Sequence, residues 1–408
     1  MKNNAPFLNP HSAFRNRDAG RGLVPAPTNI PLMIGQDIDR RKFLRSAIGA
    51  SAFALGQGYL PLWHSTAAAS LKPERRFFPV KVSKDRIIRT VVGLRPYRSE
   101  GFVVKVERLG QKIVIHNYGH GGAGMSLSWG TSTLAAEHAR GTGRRRFAVL
   151  GCGVMGLSTA RLLQRRGGVV TIYTKEMPPE TTSNIAGALW LPTSSYNPQI
   201  VTPEFLNQFR LAARTSNREF QNLMGDNYGV RWIESFMLQR EKTTEVRELI
   251  GGAELYPETQ IHQDPQAYFG FPQVTQFSTM LIEPATYLNA LLRDFFVAGG
   301  KIVVKAFRSR AEILALPEQV IMNCTGLGAR ALFKDAALIP VRGQLEVLLP
   351  QPEIDYCYLF GAIYMFPRRD GIILGGSFEH DNWSLAPDAE ERKFILDGHT
   401  DIMKGLRH

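Results

Sequence analysis

The chain has 408 residues, of which 44% are hydrophobic and 21% are charged. This composition is typical of a globular protein and excludes a largely disordered chain. The three cysteines, Cys152, Cys324 and Cys357, cannot form a disulfide framework and show no metal-ligand spacing, so we predict no metal site. The net charge of +13 is spread thinly apart from Arg144–Arg146 and accompanies no nucleic-acid-binding motif, which argues against a nucleic-acid partner.

Residues 1–70 are predicted to form a disordered leader followed by an export signal. The run Asp39–Arg45 (DRRKFLR) and the weakly apolar stretch Ser46–Leu55 after it resemble a twin-arginine signal, and Ala67–Ala69 offers a cleavage site. The apolar stretch is shorter than the ~20 residues that a transmembrane helix needs. We therefore expect the twin-arginine machinery to export the protein to the periplasm or the exterior. A basic amphipathic N-terminus without a targeting role is the alternative.

Residues 146–167 combine a short apolar strand, a GxGxxG turn and an amphipathic helix. In such a turn Gly151 permits the tight bend, Gly153 lets a pyrophosphate approach the backbone, and Gly156 lets the helix pack on the strand. The three glycines alone are a weak signal, but a strand before them and a helix after them are what a dinucleotide site requires. The sequence therefore predicts that these glycines bind a dinucleotide cofactor.

The helix after this turn and the strand that follows it supply further candidate ligands. The helix begins at Val154 and Met155, where unpaired N–H groups and the helix dipole favour a phosphate. The next strand, Val169–Tyr173, is followed by Lys175 and Glu176. Glu176 is the candidate partner of the ribose hydroxyls. Because Lys175 stands immediately after the end of the strand, the alternative that this ribose contact is absent stays open.

A second strand, glycine loop and helix occur at residues 113–140. Four glycines fall within Gly119–Gly124, and such a run has a larger backbone-entropy cost than an ordinary connection requires. The helix predicted over Leu127–Arg140 again presents electropositive N–H groups at its start. We favour a cofactor-facing loop over a tight strand-to-helix connection that binds nothing. The candidate cofactor contacts are Gly121, Gly122, Gly124, Met125 and Ser126.

Short motifs along the chain form a distinctive set. The sequence His-Asn-Tyr-Gly-His-Gly-Gly at His116–Gly122 occurs together with Leu-Arg-Pro-x-Arg at Leu94–Arg98. This combination resembles the FAD-dependent D-amino acid oxidases and is highly specific to them, and the resemblance covers nearly all of residues 75–405. The other segments that carry it are Gly151–Gly167, Thr181–Trp190, Asn323–Gly326, Arg342–Gln344, Leu374–Phe378 and Asn382–Trp383.

The resemblance implies an α/β fold in which a GxGxxG domain binds FAD beside a mixed-sheet substrate domain. Residues 71–408 would form this unit, with FAD-binding parts at about 75–200 and 300–345 and substrate-domain parts at about 201–299 and 346–400. It also implies oxidation of D-amino acids to imino acids and then to 2-oxo acids and ammonia. Hydride would pass from Cα to flavin N5, and oxygen would be the acceptor, giving hydrogen peroxide.

The order of the segments differs from that of the family, in which GxGxxG opens the chain and the Arg-Pro and His-Asn-Tyr-Gly-His segments close it. Here Arg95 and His116–Gly124 precede Gly151. Each segment occurs once and none is missing, so we predict a circular permutation in which Gly141–Arg146 joins the usual ends. A frameshifted or chimeric gene is the alternative.

The same resemblance identifies a substrate site. Arg95 corresponds to the arginine that binds the substrate carboxylate, and its guanidinium fork can hold a carboxylate through two hydrogen bonds, as Lys cannot. Tyr364 corresponds to a tyrosine that hydrogen-bonds this carboxylate. Phe360 stands where the animal enzymes have a further tyrosine, and Tyr358 is expected to point elsewhere. Arg98 is expected to have a structural role.

Further cofactor contacts also follow from the resemblance. The helix start at Gly124–Ser126 would face the pyrimidine edge of the flavin and stabilise its reduced anion. His116 and His120 are expected to brace their loop through hydrogen bonds. Residues expected near the diphosphate, the ribityl chain and the ring are Thr181, Thr182, Ser183, Gly187, Ala188, Leu189 and Thr325.

Hydrophobic periodicity predicts the remaining elements only coarsely. Helices are predicted over Glu204–Asn222, Tyr287–Ala298 and Glu390–Leu406. Strands are predicted at Lys301–Val304 and Val320–Cys324, and strand-rich stretches at Gln344–Leu349 and Tyr356–Leu374.

Two other functions remain open at this point. A D-amino-acid dehydrogenase that passes electrons to a membrane quinone would also suit an exported flavoprotein, and formation of hydrogen peroxide with oxygen as sole acceptor separates it from an oxidase. A flavin-free binding protein or degenerate relic would lack visible flavin absorbance. The intact GxGxxG glycines and Arg95 argue against the relic.

Overall fold

Two β-sheets with helices packed around them make up the part of the chain that the structure describes. This structure is a computed structural model, and it describes residues 77–242, 251–264 and 268–406. Its architecture is the α/β fold with a mixed second sheet that the resemblance implies. The predicted leader and export signal, residues 1–70, lie outside the described residues.

The strands are numbered in chain order. They are β1 Ile87–Arg98, β2 Val103–Leu109, β3 Lys112–Tyr118, β4 Arg146–Leu150, β5 Val169–Thr174, β6 Val230–Gln239, β7 Gln260–His262, β8 Gln273–Ile282, β9 Lys301–Val304, β10 Val320–Asn323, β11 Leu338–Leu348, β12 Tyr356–Phe360, β13 Ile363–Arg368, β14 Gly371–Gly375 and β15 Glu379–His380. One sheet has six strands in the order β2-β3-β10-β4-β5-β9. The other has nine, in the order β1-β11-β14-β13-β12-β6-β8-β7, with β15 paired to β11.

The helices are numbered in the same way. They are α1 Gly124–Arg140, α2 Val154–Arg165, α3 Thr182–Ile185, α4 Pro203–Asn222, α5 Pro284–Val297, α6 Arg310–Leu314, α7 Gly328–Leu332 and α8 Ala389–Lys404. Single 3₁₀ turns occur at Lys84–Arg86, Gly121–Ala123 and Ala253–Leu255. Within the described ranges, no helix is both long and apolar enough to cross a membrane.

The six-stranded sheet carries the GxGxxG turn. Strands β3, β10, β4, β5 and β9 run parallel, and β2 is antiparallel at one edge. Parallel strands are covered on both faces, which is why β10 is buried throughout and apolar up to its last residue, Asn323. Helices α1 and α2 pack on each other, and α4 and α5 pack on them. The turn between β4 and α2 therefore lies at the carboxyl edge of the parallel strands, where such sheets bind ligands.

The nine-stranded sheet is mainly antiparallel. Strand β1 pairs with β11 along its length, from Ile87 opposite Leu348 to Arg98 opposite Leu338. Helix α8 packs against β11, β13 and β14. Its N-cap is Asp388, whose carboxylate accepts hydrogen bonds from the first backbone N–H groups of the helix. Helix α8 thus covers part of one face of this sheet.

The two ends of the described chain meet at α8. Phe77 and Leu406 belong to the same buried hydrophobic cluster. The Val80 N–H lies 3.2 Å from the Met403 sulfur. Elsewhere in the chain, residues 141–145 join α1 to β4. Gly143 in this link has φ +66°, and beyond its two chain neighbours no heavy atom would lie within 4 Å of a Cβ there.

Local patterns predicted the element positions well. The helix predicted over Glu204–Asn222 begins one residue earlier at Pro203, after an N-cap threonine. The helix predicted over Tyr287–Ala298 begins at Pro284, because proline is accepted in the first turn. The strand predicted at Lys301–Val304 is confirmed.

The predicted domain parts do not coincide with the two sheets at three places. Strand β1 falls in the range assigned to the FAD-binding part, about 75–200, yet it lies in the nine-stranded sheet. Strand β11 crosses the boundary predicted at residue 345. Helices α4 and α5, assigned to the substrate part at about 201–299, pack on α1 and α2 beside the six-stranded sheet. Position along the sequence does not show which sheet a strand joins, because the pairing partner is distant in the chain.

Candidate active site

The GxGxxG turn needs glycine for steric reasons that the structure makes explicit. Gly151 has φ +101°, and a Cβ there would lie 2.6 Å from the Cys324 carbonyl oxygen. A Cβ on Gly156 would lie 2.0 Å from the Gly151 carbonyl oxygen. A Cβ on Gly153 would lie 3.1 Å from Ser183 Oγ. The first and third glycines therefore allow the tight bend and the close helix start, and the second faces the predicted Thr181–Ser183 segment.

The start of α2 is open to an anion. Gly153 occupies the N-cap position and has no side chain with which to cap the helix. The Val154 N–H donates to Ser183 Oγ at 3.0 Å, so α3, which begins at Thr182, lies against this turn. The other N–H groups of the first turn have no carbonyl four residues earlier in the helix. Thr181, the N-cap residue of α3, is buried.

The second glycine loop is shaped by a neighbouring segment of the protein. Gly121 has φ +56°, and a Cβ there would lie 2.3 Å from the Ser194 carbonyl oxygen. The Gly122 N–H donates to the same oxygen at 3.0 Å. Contact with the Ser194 backbone thus accounts for Gly121, and a Cβ on Gly122 would lie 3.2 Å from Ser194 Cβ. This steric requirement for glycine does not depend on a ligand, and no local sequence pattern indicates it.

The first turns of α1 and α2 lie side by side. A Cβ on Gly124 would lie 4.0 Å from Met155 Cε. Ser126 Oγ accepts from the Leu191 N–H at 3.2 Å and donates to the Leu189 carbonyl at 3.3 Å. The predicted segment ending at Leu189 is therefore fixed to the start of α1. The two positive helix ends together make this edge of the sheet suitable for an anionic cofactor.

Two buried histidines brace these loops. Asn323 Nδ2 donates to His116 Nδ1 at 3.0 Å, and Asn323 Oδ1 accepts from the Thr325 N–H and hydroxyl at 3.3 and 2.7 Å. The other ring nitrogen of His116 lies 2.9 Å from Glu107. Burial lowers the pKa of His116, and it lowers the pKa of His120 to about 3. Both are neutral hydrogen-bonding groups at neutral pH, and the predicted bracing role is confirmed.

Glu176 lies just beyond the carboxyl end of β5. Its carboxylate is 2.9 Å from Lys175 Nζ, and both side chains are exposed. Thr174 Oγ1 donates to the Glu176 backbone carbonyl at 2.5 Å and thereby fixes the turn. The carboxylate is placed where sheets of this topology bind a ribose, so Glu176 stays a candidate ligand.

Arg95 and Tyr364 lie on one face of the nine-stranded sheet, on strands β1 and β13. Strands β11 and β14 run between them, and each presents a glycine to this face. A Cβ on Gly343 would lie 2.2 Å from Arg95 Nη1, and a Cβ on Gly375 would lie 2.1 Å from Tyr364 Cζ. We call these two residues the glycine floor. It lets the guanidinium and the phenol ring lie flat against the sheet.

The guanidinium of Arg95 contacts two aromatic side chains but forms no ion pair among the described residues. Its Nη2 lies 3.4 Å from Tyr364 Oη, and its centre lies 5.3 Å from the centroid of the Phe378 ring. Nη1 is buried and finds no hydrogen-bond partner among the described residues. A buried charged donor without a partner is unfavourable, so this arrangement favours an anionic ligand at Nη1.

The predicted segment at residues 185–189 lies against this face. A Cβ on Gly187 would lie 2.8 Å from the Phe366 ring. Ala188 has φ +66°, and its carbonyl accepts from the Ile282 N–H at 3.0 Å. A Cβ on Gly93, which is on the same strand as Arg95, would lie 3.0 Å from Ile185 Cγ2. The structure thus brings the predicted cofactor segment and the predicted substrate residues together.

Other predictions about this region are also resolved. The Tyr358 side chain is fully buried and points away from the Arg95 face. Phe360 lies two residues further along β12 on the same face as Tyr358 and packs on Phe271. The prediction that Phe360 takes the site position beside Tyr364 is therefore wrong. Arg98 lies 2.9 Å from Asp335 and 3.1 Å from the Gly101 carbonyl, which gives it the structural role expected. The glycine floor and Phe378 were missed as site residues, although the segments that contain them carried the resemblance.

Comparison with known proteins shows where the chain belongs. The family model described as FAD dependent oxidoreductase (DAO) matches residues 146–408. The chain is a member of this family. The predicted relationship to the D-amino acid oxidases and the prediction of FAD as cofactor are thereby confirmed.

Two curated relatives and one solved structure are similar to parts of the chain. The chain is 30% identical over 271 residues to a D-amino acid oxidase of Dugesia ryukyuensis, covering 64% of the chain and 78% of the relative. It is 32% identical over 265 residues to a D-amino-acid oxidase of Rubrobacter xylanophilus, covering 63% and 77%. A glycine oxidase structure from Bacillus cereus ATCC 14579 matches at 16% identity, with 63% and 78% covered and a TM-score of 0.49.

The residues around the two helix starts fit FAD. The uncapped first turn of α2 and the hydroxyl of Ser183 suit a diphosphate, and Glu176 suits a ribose. Glycine at position 153 allows the close approach of Ser183 Oγ, since a Cβ there would lie 3.1 Å from it. The start of α1 at Gly124 and the segment ending at Leu189 would border the ring.

Proposed function

We propose that this protein is an oxidase of D-amino acids. The substrate would lose a hydride from Cα and a proton from its amino group, giving an imino acid that water converts to a 2-oxo acid and ammonia. Oxygen would take the two electrons and two protons and become hydrogen peroxide. The observation that carries the proposal is the Arg95 guanidinium, whose Nη1 is buried without a partner among the described residues and whose Nη2 lies beside Tyr364, on the sheet face against which Ile185 and Gly187 pack.

Arg95 would hold the substrate carboxylate through its two Nη groups. Tyr364 Oη, 3.4 Å from Nη2, would donate to the same carboxylate. Phe378 covers the guanidinium with its ring, which excludes water from that side and strengthens the ion pair. When its carboxylate is fixed at these points, the substrate also has its Cα in a defined position. When bound, FAD supplies the hydride acceptor.

The purified protein offers a direct test. We expect a visible flavin spectrum that is bleached anaerobically by D-amino acids and not by their L-isomers, and that returns with oxygen as hydrogen peroxide accumulates. A flavoprotein that no D-amino acid reduces would refute the proposal. Bleaching that oxygen does not reverse, but that a quinone does, would assign it to the dehydrogenases instead.

We propose further that the chain is a circular permutant of its family. The family match begins at Arg146, while β1 and β3 pair with β11 and β10 inside the matched region. The short link between α1 and β4 and the shared cluster of Phe77 and Leu406 are compatible with moving the ends. Moving residues 75–140 behind His408, with the chain starting near Arg146, should give a folded flavoprotein. An insoluble or flavin-free product, where the native order folds, would count against permutation.

Export through the twin-arginine route is also a proposal. It rests on the paired Arg40 and Arg41 ahead of a mildly apolar run. A reporter fused to residues 1–70 should leave the cytoplasm, and replacing both arginines by lysine should keep it inside. Equal export of the double-lysine fusion would refute the proposal.

A further inference from the structure

A buried histidine and tyrosine lie behind the Arg95 face, between the nine-stranded sheet and α8. His399 on α8 and Tyr358 on β12 are both fully buried. Tyr358 Oη lies 2.6 Å from His399 Nδ1, and His399 Nε2 lies 3.0 Å from the Gly375 carbonyl oxygen. A carbonyl can only accept, so Nε2 carries the hydrogen and Nδ1 accepts from the tyrosine hydroxyl.

The carbonyl that His399 holds belongs to the last residue of β14. Beyond Gly375 the chain leaves the sheet, and three residues later Phe378 covers the Arg95 guanidinium. Gly375 itself is paired with Tyr364 and supports its ring. Both groups next to the proposed carboxylate site are therefore placed by the segment Gly375–Phe378.

Other contacts of α8 support the same segment. A Cβ on Gly376 would lie 3.1 Å from Ile395 Cγ1, so the helix packs directly under the turn. Ser377 Oγ accepts from the Gln344 N–H at 2.6 Å, which ties the segment to β11 on its other side. The hydrogen bond from His399 holds the first residue of this segment to α8, and Glu391 of the same helix hydrogen-bonds Ser377.

We infer that His399, oriented by Tyr358, is a positioning residue of the substrate site: it fixes Gly375–Phe378 from behind, so that Tyr364 and Arg95 keep their relative positions. This inference rests on the proposed function. His399 acts through the backbone and touches neither substrate nor cofactor. Its loss should therefore loosen carboxylate binding while FAD stays bound.

Three variants test the two hydrogen bonds of His399 separately. His399→Phe keeps a ring of similar size and removes both hydrogen bonds. His399→Gln retains an N–H donor for the Gly375 carbonyl. Tyr358→Phe removes only the hydroxyl that orients the imidazole. Ile402→Val is the matched control, because Ile402 is a buried residue of α8 that packs in the cluster around Phe77.

Benzoate is a suitable probe, since it is a carboxylate with no hydrogen on the adjacent carbon to lose. Titrated into the FAD-loaded protein and followed by the visible spectrum, it should bind about tenfold more weakly to His399→Phe, because small misplacements of a site have effects of this order. His399→Gln should recover most of the affinity, and Tyr358→Phe should fall between them. The KM for a D-amino acid should rise by a similar factor with little change in kcat, and FAD content should stay constant.

The result that overturns the inference is unchanged benzoate affinity and KM in His399→Phe, or a change no larger than that of Ile402→Val at equal loss of Tm. If His399→Phe does not fold, His399→Gln and Tyr358→Phe carry the same comparison. A wild-type protein that neither binds benzoate nor oxidises D-amino acids refutes the proposed function instead. In that case hydrogen exchange of residues 375–378 decides: faster exchange in Tyr358→Phe supports positioning of the segment, and equal exchange refutes it.

Discussion

Replacing Arg95 by alanine tests the centre of the proposed site. Among the described residues Nη1 is buried without a partner and Nη2 has one long contact, to Tyr364. A bound carboxylate would therefore receive both of its strong hydrogen bonds from this one side chain. Removing one partner of a buried ion pair costs about 3–5 kcal/mol, because the other charge is left uncompensated. At about 1.4 kcal/mol per decade, kcat/KM should fall by roughly two to four decades.

The assay is initial-rate peroxide formation with a D-amino acid, together with the FAD content and spectrum of the purified variant. Arg95→Ala should keep its flavin, because Arg95 lies on the nine-stranded sheet and the GxGxxG turn lies on the other. Arg95→Lys should recover only a small part of the activity, since a point charge does not reproduce the planar fork. Arg98→Ala is the control and should lower Tm more than kcat/KM, because Arg98 is paired with Asp335. Near-normal turnover by Arg95→Ala would refute this assignment of the carboxylate site.

Three further outcomes follow from local geometry. Gly343→Ala places a methyl group 2.2 Å from Arg95 Nη1, so KM should rise at least tenfold while FAD stays bound. Gly156→Ala places one 2.0 Å from the Gly151 carbonyl, so the purified protein should lack most of its flavin absorbance. Burial lowers the pKa of His399 from 6.5 to about 4. Between these two pH values His399 is protonated in the unfolded chain and neutral in the folded protein, which favours unfolding. Tm should therefore be highest above pH 6.5 and fall towards pH 4, less steeply in His399→Phe; equal slopes would contradict this.

Much of the fold and part of the site could be predicted because they depend on neighbours in the sequence. The strand, turn and helix around Gly151 follow from a short motif, and the start of α4 follows from a threonine cap and Pro203. Arg95 and Tyr364 were predicted through the family resemblance. The structure adds that they share one face of the same sheet.

Other features depend on contacts between residues far apart in the chain. Gly343 needs to be glycine because Arg95 crosses it, and those residues are paired only through the register of β1 on β11. Gly121 was interpreted as a cofactor contact, while its closest neighbour in the structure is the Ser194 backbone. No local pattern distinguishes these reasons for glycine. The role of His399 could not be predicted either, since its partner carbonyl belongs to a strand end that the sequence does not mark.

The pairing of β1 with β11 also determines when the protein can finish folding. About 240 residues separate the end of β1 from the start of β11, and β3 waits similarly for β10. At a synthesis rate of roughly 5–20 residues per second, β1 spends some tens of seconds on the ribosome without its partner. Such long-range pairings fold slowly and leave strand edges exposed during synthesis. Neither sheet can be completed until most of the chain has been made. Chaperones that bind nascent strands should therefore raise the yield of this protein more than that of relatives whose paired strands are made in closer succession.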